Sequence, residues 1–163
     1  SKFLGPDMCL AVTASDRETA ERLSTRLTPG TTWVSHLLQR LAHALVTDPE
    51  AMAQVQRAGQ HYAARNAAFA ELLRARRISA HPGDGLNLWV DTGAPAREVT
   101  AQLMRRGWLA RSGDDFVLGG RASSTHLRLT VHDLDHGSAE QLADDIAAAV
   151  GASRERANRI EVA

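Results

Sequence analysis

The sequence has little or none of several features that would indicate other classes of protein. It contains a single cysteine, Cys9, so an internal disulfide is excluded and a reducing compartment is expected. Its 19 basic and 19 acidic side chains cancel, which argues against a free-standing nucleic-acid-binding module. It has neither an apolar run long enough to cross a membrane nor the pattern of a secretory signal. We therefore expect a cytoplasmic protein with no membrane partner.

The remaining composition is that of an ordinary globular protein. Apolar residues make up 44% of the 163-residue chain and charged residues 23%. This length suits one domain or parts of two. Helical patterns dominate the first half, whereas short strands alternate with helices in the second. We therefore predict an α/β or α+β lobe in which helices back a small sheet.

Three helices are predicted in the first half of the chain. Ser15 and Glu18 fit a capping box for a helix that ends near Leu27. An apolar stripe over residues 32–47 then predicts a well-buried helix. Asp48 as an N-cap followed by proline starts a third helix, over residues 49–77, which would be roughly 40 Å long at 1.5 Å per residue. A helix of that length is typical of a spine between two lobes.

The second half contains strand patterns separated by turns. Alternation predicts strands over 86–90 and 126–132, the second with Leu127, Leu129 and Val131 facing inward. A helix should run from Pro95 to Gly107. Two further short strands are predicted, over 108–110 and 116–118.

The last elements of the chain are a helix and a polar end. Ser138 and Gln141 fit a second capping box, and Gly151 is placed to end the helix that it starts. Residues 152–163 are polar and uncapped, so they are predicted to form a frayed helix or a tail.

Three short motifs carry a family resemblance. The chain opens on Ser1 and Lys2, then a Gly-Pro-Asp turn and an apolar run. Residues 85–90 read Gly-Leu-Asn-Leu-Trp-Val, and residues 126–131 read His-Leu-Arg-Leu-Thr-Val. In this order the motifs resemble the MocR regulators of the GntR family, whose aminotransferase-like half has the fold of type I pyridoxal-phosphate (PLP) enzymes.

The resemblance implies a division of the chain. It corresponds to the C-terminal segment of a longer protein, in which a winged helix-turn-helix domain that binds DNA precedes the aminotransferase-like domain. Residues 1–48 would be the last part of the large lobe and 49–77 the connecting helix. Residues 78–151 would form the small lobe and 152–163 a tail. The family also implies a homodimer.

The same resemblance implies roles for individual residues. Lys2 would be the lysine that forms the Schiff base with PLP, and Ser1 would lie near the cofactor phosphate. Arg128 would bind the carboxylate of an amino compound through its planar guanidinium. Asn87 could touch a ligand or make a structural hydrogen bond. The competing interpretations are a terminal lysine without a role and a strand arginine in a surface ion pair.

One position departs from the family pattern. Cys9 stands seven residues after Lys2, where the related proteins carry an arginine that pairs with the cofactor phosphate. A thiol supplies neither the charge nor the bidentate geometry of a guanidinium. Cys9 therefore indicates an altered phosphate site, and we expect it to be a small buried apolar residue. In the family, the groups that stack on the cofactor ring and hold its nitrogen come from an earlier part of the large lobe, so we expect weak or absent PLP binding in this segment by itself.

Other polar residues are predicted to have no ligand role. His132 and His136 are spaced for a helix face, but they stand in a stretch read as a strand end and loop, so no metal site is expected. The arginines of the long helix are scattered among polar positions and predict a solvated face. This set comprises Arg57, Arg65, Arg74, Arg76 and Arg77.

Three functions follow as alternatives. The leading one is a domain that senses PLP or a small amino compound in a GntR/MocR-type transcriptional regulator and is not itself an enzyme. The second is a PLP-dependent aminotransferase acting on an amino acid and a keto acid. The third is a free-standing helix-and-sheet interaction domain in which Lys2 has no role.

Overall fold

The computed structural model of the chain describes residues 4–5, 8, 10–27, 34–83, 85–118 and 123–161. The chain divides into two compact units, residues 1–57 and residues 58–163. No helix within the described ranges is long and apolar enough to cross a membrane. The first unit is helical, and the second contains the sheet and the main apolar core.

Two of the three helices that begin in the first unit start at aspartate caps. Helix α1 spans Arg17–Leu27, α2 spans His36–Thr47 and α3 starts at Pro49. The carboxylate of Asp16 accepts a 2.9 Å hydrogen bond from the amide of Thr19, so the predicted cap at Ser15 is wrong by one residue. The predicted cap at Asp48 is confirmed, because its Oδ1 accepts from the amide of Glu50 at 2.7 Å.

Helix α2 is more exposed than its apolar pattern predicts. Ala42 is its one buried residue, whereas Leu37 is 75% exposed. The prediction of a well-buried helix is therefore wrong for the described part of the first unit. The physical reason is that an apolar stripe reports which face prefers burial, and no described element of this unit packs over that face.

Helix α3 extends over Pro49–Ala75 and crosses the boundary between the two units. The predicted long helix is therefore confirmed, although it ends two residues early. Arg77 adopts a left-handed conformation with φ of 60°, and the amide of Ile78 donates to the carbonyl of Leu73 at 3.0 Å. A hydrogen bond of this kind is typical of a helix C-terminus at which one residue adopts the left-handed conformation.

The arginines predicted to form a solvated face are exposed, except Arg76, which follows α3 and is partly buried. Two of them also reach other elements. Arg65 Nη2 donates to the carbonyl of Leu134 at 2.8 Å, and Arg76 Nε donates to Asp144 at 2.6 Å. Spacing along the helix did not indicate these contacts, because long arginine side chains reach partners on other elements.

The second unit contains a four-stranded antiparallel sheet in the order β1-β2-β4-β3. The strands are β1 Ser79–His81, β2 Leu88–Asp91, β3 Arg111–Ser112 and β4 His126–Leu129. Strands β2 and β4 confirm the two alternating patterns. Strand β1 was not predicted, since three residues without a strong strand former carry too little periodicity.

One face of the sheet packs on helices to form the core. The strands contribute Leu88, Val90, Leu127 and Leu129, all buried. Helix α4, Ala96–Arg105, covers them with Val99 and Leu103, as its spacing predicted. Gly107 has φ of 90° after the end of this helix, which confirms its predicted role.

The connection from α4 to β4 differs from the predicted pair of strands. In place of strands at 108–110 and 116–118, it contains β3 followed by a 3-10 helix, Gly113–Phe116. The Ser112 side chain caps that helix by accepting from the amide of Asp114. The turn residues therefore form a 3-10 helix and do not begin a second strand.

Helix α5 spans His136–Glu161 and corrects the prediction at both ends. Asp135, not Ser138, caps it, because Asp135 Oδ1 accepts from the amide of Ser138 at 2.7 Å. The helix continues through Gly151, where an end was predicted. Ser153 is buried and donates to Glu98 Oε2 at 2.6 Å, so a contact distant in sequence holds the residues predicted to be a frayed end or tail.

Candidate functional site

The second face of the sheet carries polar and aromatic side chains in a row across all four strands. The strand register places His81 beside Trp89, Trp89 beside Arg128, and Arg128 beside Arg111. Side chains alternate along a strand, so these four residues lie on the face opposite the core. The row is the candidate functional site.

Arg128 stands at the centre of this row and packs against aromatic rings. Its Cζ lies 4.8 Å from the ring centroid of Phe116, a cation–π distance. The rings of Phe116 and Trp89 meet edge to face, with centroids 5.3 Å apart. No carboxylate in the described part of the chain forms an ion pair with Arg128. The competing interpretation of a surface ion pair therefore has no support within those residues.

The neighbouring arginine differs, because an acidic side chain offsets its charge. Arg111 Nη1 lies 3.4 Å from Asp115 Oδ2. Like charges on directly opposed strand positions repel each other, and the carboxylate of Asp115 reduces that repulsion between Arg111 and Arg128. Among the described residues of the row, Arg128 is thus the cation without an acidic partner.

Phe116 reaches Arg128 because the 3-10 helix is held tightly against β4. The carboxylate of Asp114 accepts hydrogen bonds from the amide of Ser124 and from Arg97 Nε, the latter at 2.8 Å. The bond from the Ser124 amide is the main cause that holds the pKa of Asp114 below its ordinary value, with Arg97 adding to it. A Cβ on Gly113 would meet the carbonyl of His126 at 2.7 Å, so this approach requires glycine.

A second aspartate, Asp91 at the end of β2, is also held by internal hydrogen bonds. Asp91 Oδ1 accepts from Thr125 Oγ1 at 2.7 Å and from the amide of Gly93 at 3.0 Å. These two bonds, with a smaller contribution from the nearby His126, lower the pKa of Asp91. The carboxylate is therefore occupied by internal donors.

Asn87 is the remaining predicted ligand residue in the described part of the sheet region. Its Oδ1 accepts a 3.0 Å hydrogen bond from Thr130 Oγ1. The bond links the segment before β2 to the residue after β4, which is the structural alternative stated for this residue. A ligand contact through the amide nitrogen stays a prediction.

Comparison with known proteins shows what this chain is similar to. No protein-family model matches the chain. The vitamin B6 salvage pathway transcriptional repressor PtsJ of Salmonella typhimurium is 41% identical over 146 residues, which cover 90% of this chain. The resemblance to MocR-type regulators is confirmed. The chain spans about a third of that relative's length, 34%.

Comparison with solved structures shows the fold of this chain. An aromatic aminotransferase from Pyrococcus horikoshii aligns with a TM-score of 0.64 at 16% identity, over 88% of this chain and 38% of the enzyme. The α-aminoadipate aminotransferase LysN from Thermus thermophilus, complexed with N-(5'-phosphopyridoxyl)-L-leucine, aligns at 0.63 and 17%, over 86% and 37%. The predicted aminotransferase-like fold of type I is confirmed.

The cofactor end of the predicted MocR-type site lies outside the described residues. Lys2, Ser1 and Cys9 all belong to the part of the chain that the structure leaves undescribed. Their roles therefore stay predictions. Lys2 is nonetheless the only lysine in the sequence, so it is the one side-chain amine this chain can offer to an aldehyde.

The histidines considered for a metal have other contacts. His132 Nδ1 lies 3.0 Å from Asp133 Oδ1, and its ring lies 4.8 Å from that of Tyr62. His136 pairs with Glu140 at 3.5 Å. No group of three metal-ligating side chains occurs within the described ranges.

Sequence reasoning identified Arg128 as a site residue but missed Phe116, and it assigned no ligand role to Trp89. The pattern assigned Phe116 to a strand, and nothing in its local sequence indicates that it meets an arginine twelve positions later. The available signal was the Gly-Asp-Asp-Phe run itself, because an acidic turn before an aromatic residue favours a capped coil over a strand.

Proposed function

We propose that the chain is the aminotransferase-like, effector-sensing segment of a cytoplasmic GntR/MocR-type transcriptional regulator. The 41% identity to a vitamin B6 salvage repressor supports this proposal. The observation that carries the sensing role is Arg128, a half-buried guanidinium on an exposed sheet face with no acidic partner among the described residues. Residues 1–48 would belong to the large lobe, 49–77 to the connecting helix and 78–151 to the small lobe.

Arg128 would bind the carboxylate of a small amino compound. A planar guanidinium offers two parallel donors that match the two oxygens of a carboxylate. Stacking on Phe116 holds the plane of those donors before the ligand binds, so less side-chain entropy is lost on binding. Asn87 would present its amide to the same ligand while Thr130 holds its oxygen.

The donor set of the chain fits PLP in part. Lys2 is the only lysine and would hold the cofactor covalently, with Ser1 beside the phosphate. Cys9 does not provide a cation for that phosphate. PLP, when bound, supplies an aldehyde carbon that reacts with amines. We propose that binding requires the whole protein and is weak in this segment alone.

Regulation would arise from a difference in affinity between two arrangements of a homodimer. PLP or an amino compound can shift the equilibrium only by binding one arrangement more tightly than the other. The domain that contacts DNA would precede this segment. Binding of the effector would change how the dimer orients its two DNA-binding domains. The protein's own residues then act by binding and orienting the effector, with no requirement for turnover.

Attachment of the cofactor is tested with the full-length protein and PLP. Borohydride treatment should fix a pyridoxyl mass increment on the peptide that contains Lys2, and Lys2→Ala should remove that increment. Lys2→Arg is the matched control, because it keeps the positive charge without a reactive amine. A full increment in the Lys2→Ala protein would contradict the assignment.

The regulator itself is tested by selecting bound sequences from a random DNA library. We expect specific DNA binding that changes when PLP or an amino compound is added, and Arg128→Ala should remove the effect of the amino compound. Absence of specific DNA binding, together with steady transamination that requires Lys2, would overturn the proposal in favour of the aminotransferase.

A further inference from the structure

Two of the chain's few aromatic residues lie beside Arg128 and remain substantially exposed. The sequence contains three tryptophans and three phenylalanines. Of these, Trp89 is 39% exposed and Phe116 is 44% exposed, although both have partners within the site. Large exposed aromatic surface next to a charged group favours binding over structure, because burial in the core would have stabilised the fold more.

Among the described residues around these rings, the charges leave one cation for an anionic group. Asp115 offsets Arg111, and Thr125 and Gly93 occupy the carboxylate of Asp91. The described residues of the row thus leave a single cation, Arg128, flanked by apolar surface. A second carboxylate on a ligand would have to give up its hydration here without gaining a partner.

We propose that Trp89 determines ligand specificity, and that the ligand is a monocarboxylate with an apolar or aromatic group. This inference rests on the proposed function, which assigns the carboxylate to Arg128. The carboxylate lies on the guanidinium and the apolar group lies against Trp89. Phe116 is a positioning residue that acts through Arg128, whereas Trp89 contacts the ligand.

Amino acids of different side-chain chemistry test this inference on the full-length protein with PLP present. The calorimetric probes are L-phenylalanine, L-leucine, L-alanine, L-aspartate and L-glutamate. We expect L-phenylalanine and L-leucine to bind more tightly than either dicarboxylate. Trp89→Ala should lower the affinity for L-phenylalanine about three- to tenfold, the usual range for loss of one aromatic contact. The affinity for L-alanine should be unchanged.

Two further variants separate recognition from folding. Leu118→Ala removes an apolar side chain that is 99% exposed and should leave the binding of every probe unchanged. Trp89→Leu keeps an apolar side chain without an aromatic face. It should therefore lower the affinity for L-phenylalanine and leave the affinity for L-leucine unchanged. This second variant keeps the test decisive if Trp89→Ala fails to fold.

The outcomes distinguish this inference from the function on which it rests. Binding that survives Arg128→Ala would overturn the proposed carboxylate role, and so would failure of every probe to bind. Binding that requires Arg128 but favours L-aspartate or L-glutamate would overturn only the specificity inference. Equal weakening of all probes by Trp89→Leu would do the same, because it would indicate a structural role for Trp89.

Discussion

The guanidinium of Arg128 stacks on the ring of Phe116, with 4.8 Å between Cζ and the ring centroid. Arg128 is on β4 and Phe116 ends the 3-10 helix, so two separate elements define the orientation of one cation. Stacking removes water from one face of the guanidinium while its edge remains available. A guanidinium in that state binds a carboxylate more strongly than a freely rotating one.

Phe116→Leu should weaken carboxylate binding without unfolding the protein. The leucine keeps apolar contact but loses the aromatic face, which is worth about 0.5–1 kcal/mol to a cation at an exposed site. We therefore expect a two- to fivefold loss of affinity for L-phenylalanine by calorimetry, about the equivalent of that energy. The melting temperature should change little, because the ring is already 44% exposed.

The control for this variant is Leu109→Ala, which removes an apolar side chain that is 90% exposed. It should change neither affinity nor melting temperature. A Phe116→Leu protein with unaltered affinity would show that the stacking contact does not contribute to the binding of the carboxylate.

Gly113→Ala should separate the 3-10 helix from β4. The added Cβ would meet backbone as well as side chain, including the carbonyl of His126 at 2.7 Å. Backbone cannot move aside as a flexible side chain can, so we expect a loss of about 1–3 kcal/mol in the free energy of unfolding. Urea denaturation measures it. Gly83→Ala is the matched control, since nothing lies within 4 Å of its Cβ position.

Gly113→Ala should also alter the site, because Phe116 lies on the same 3-10 helix. A variant that is destabilised yet binds carboxylates normally would show that the position of Phe116 does not depend on the close approach at Gly113.

Asp114 should make the second unit sensitive to acid. Hydrogen bonds, chiefly from the amide of Ser124, lower the pKa of Asp114 below its ordinary 3.8 in the folded state. Between the folded and unfolded pKa values the unfolded chain binds more protons. The contribution of Asp114 is therefore fully present above about pH 5 and is lost as the pH falls through the folded pKa.

Replacing Asp114 by asparagine should flatten this part of the acid unfolding curve. Urea denaturation between about pH 2 and pH 6 would show a smaller loss of stability for the Asp114→Asn protein than for the wild type. Glu50→Gln is the control, because that side chain is exposed and forms no ion pair with another described residue. Parallel curves for wild type and Asp114→Asn would contradict the prediction.

The parts of the fold that could be predicted are those encoded by periodic apolar residues. Alternation of Leu127, Leu129 and Val131 identified the core face of β4, and this also placed Arg128 on the opposite face. The cap at Asp48 was readable because aspartate and proline act on the nearest amides. Both patterns depend only on residues that are close together in the sequence. They can therefore be recognised without the structure.

The parts that could not be predicted depend on competition between residues or on distant contacts. Asp135 and Ser138 are both acceptable caps, and only the structure decides which is used. The contact between Phe116 and Arg128 requires the turn at Gly113 to pack on β4. No local pattern specifies that packing, so the central aromatic residue of the site was missed.

The continuation of α5 through Gly151 provides the last prediction. Glycine was expected to end the helix, since it costs about 0.5–1 kcal/mol relative to alanine in a helix interior. The helix persists because residues beyond the glycine make tertiary contacts. Ser153 donates to Glu98 at 2.6 Å, and Arg154 Nη2 donates to the carbonyl of Thr92 at 3.1 Å.

Gly151→Ala should therefore stabilise the protein by about 0.5–1 kcal/mol, measured as an increase in the free energy of unfolding. No atom lies within 4 Å of the added Cβ, so no clash opposes the gain in helix propensity. Ser153→Ala should act in the opposite direction, because it leaves Glu98 without the serine hydroxyl as donor. In the double variant, the benefit of alanine at 151 should shrink if the last two turns unravel once the serine contact is removed. An unchanged benefit would mean that the helix continues past Gly151 without the contact to Glu98.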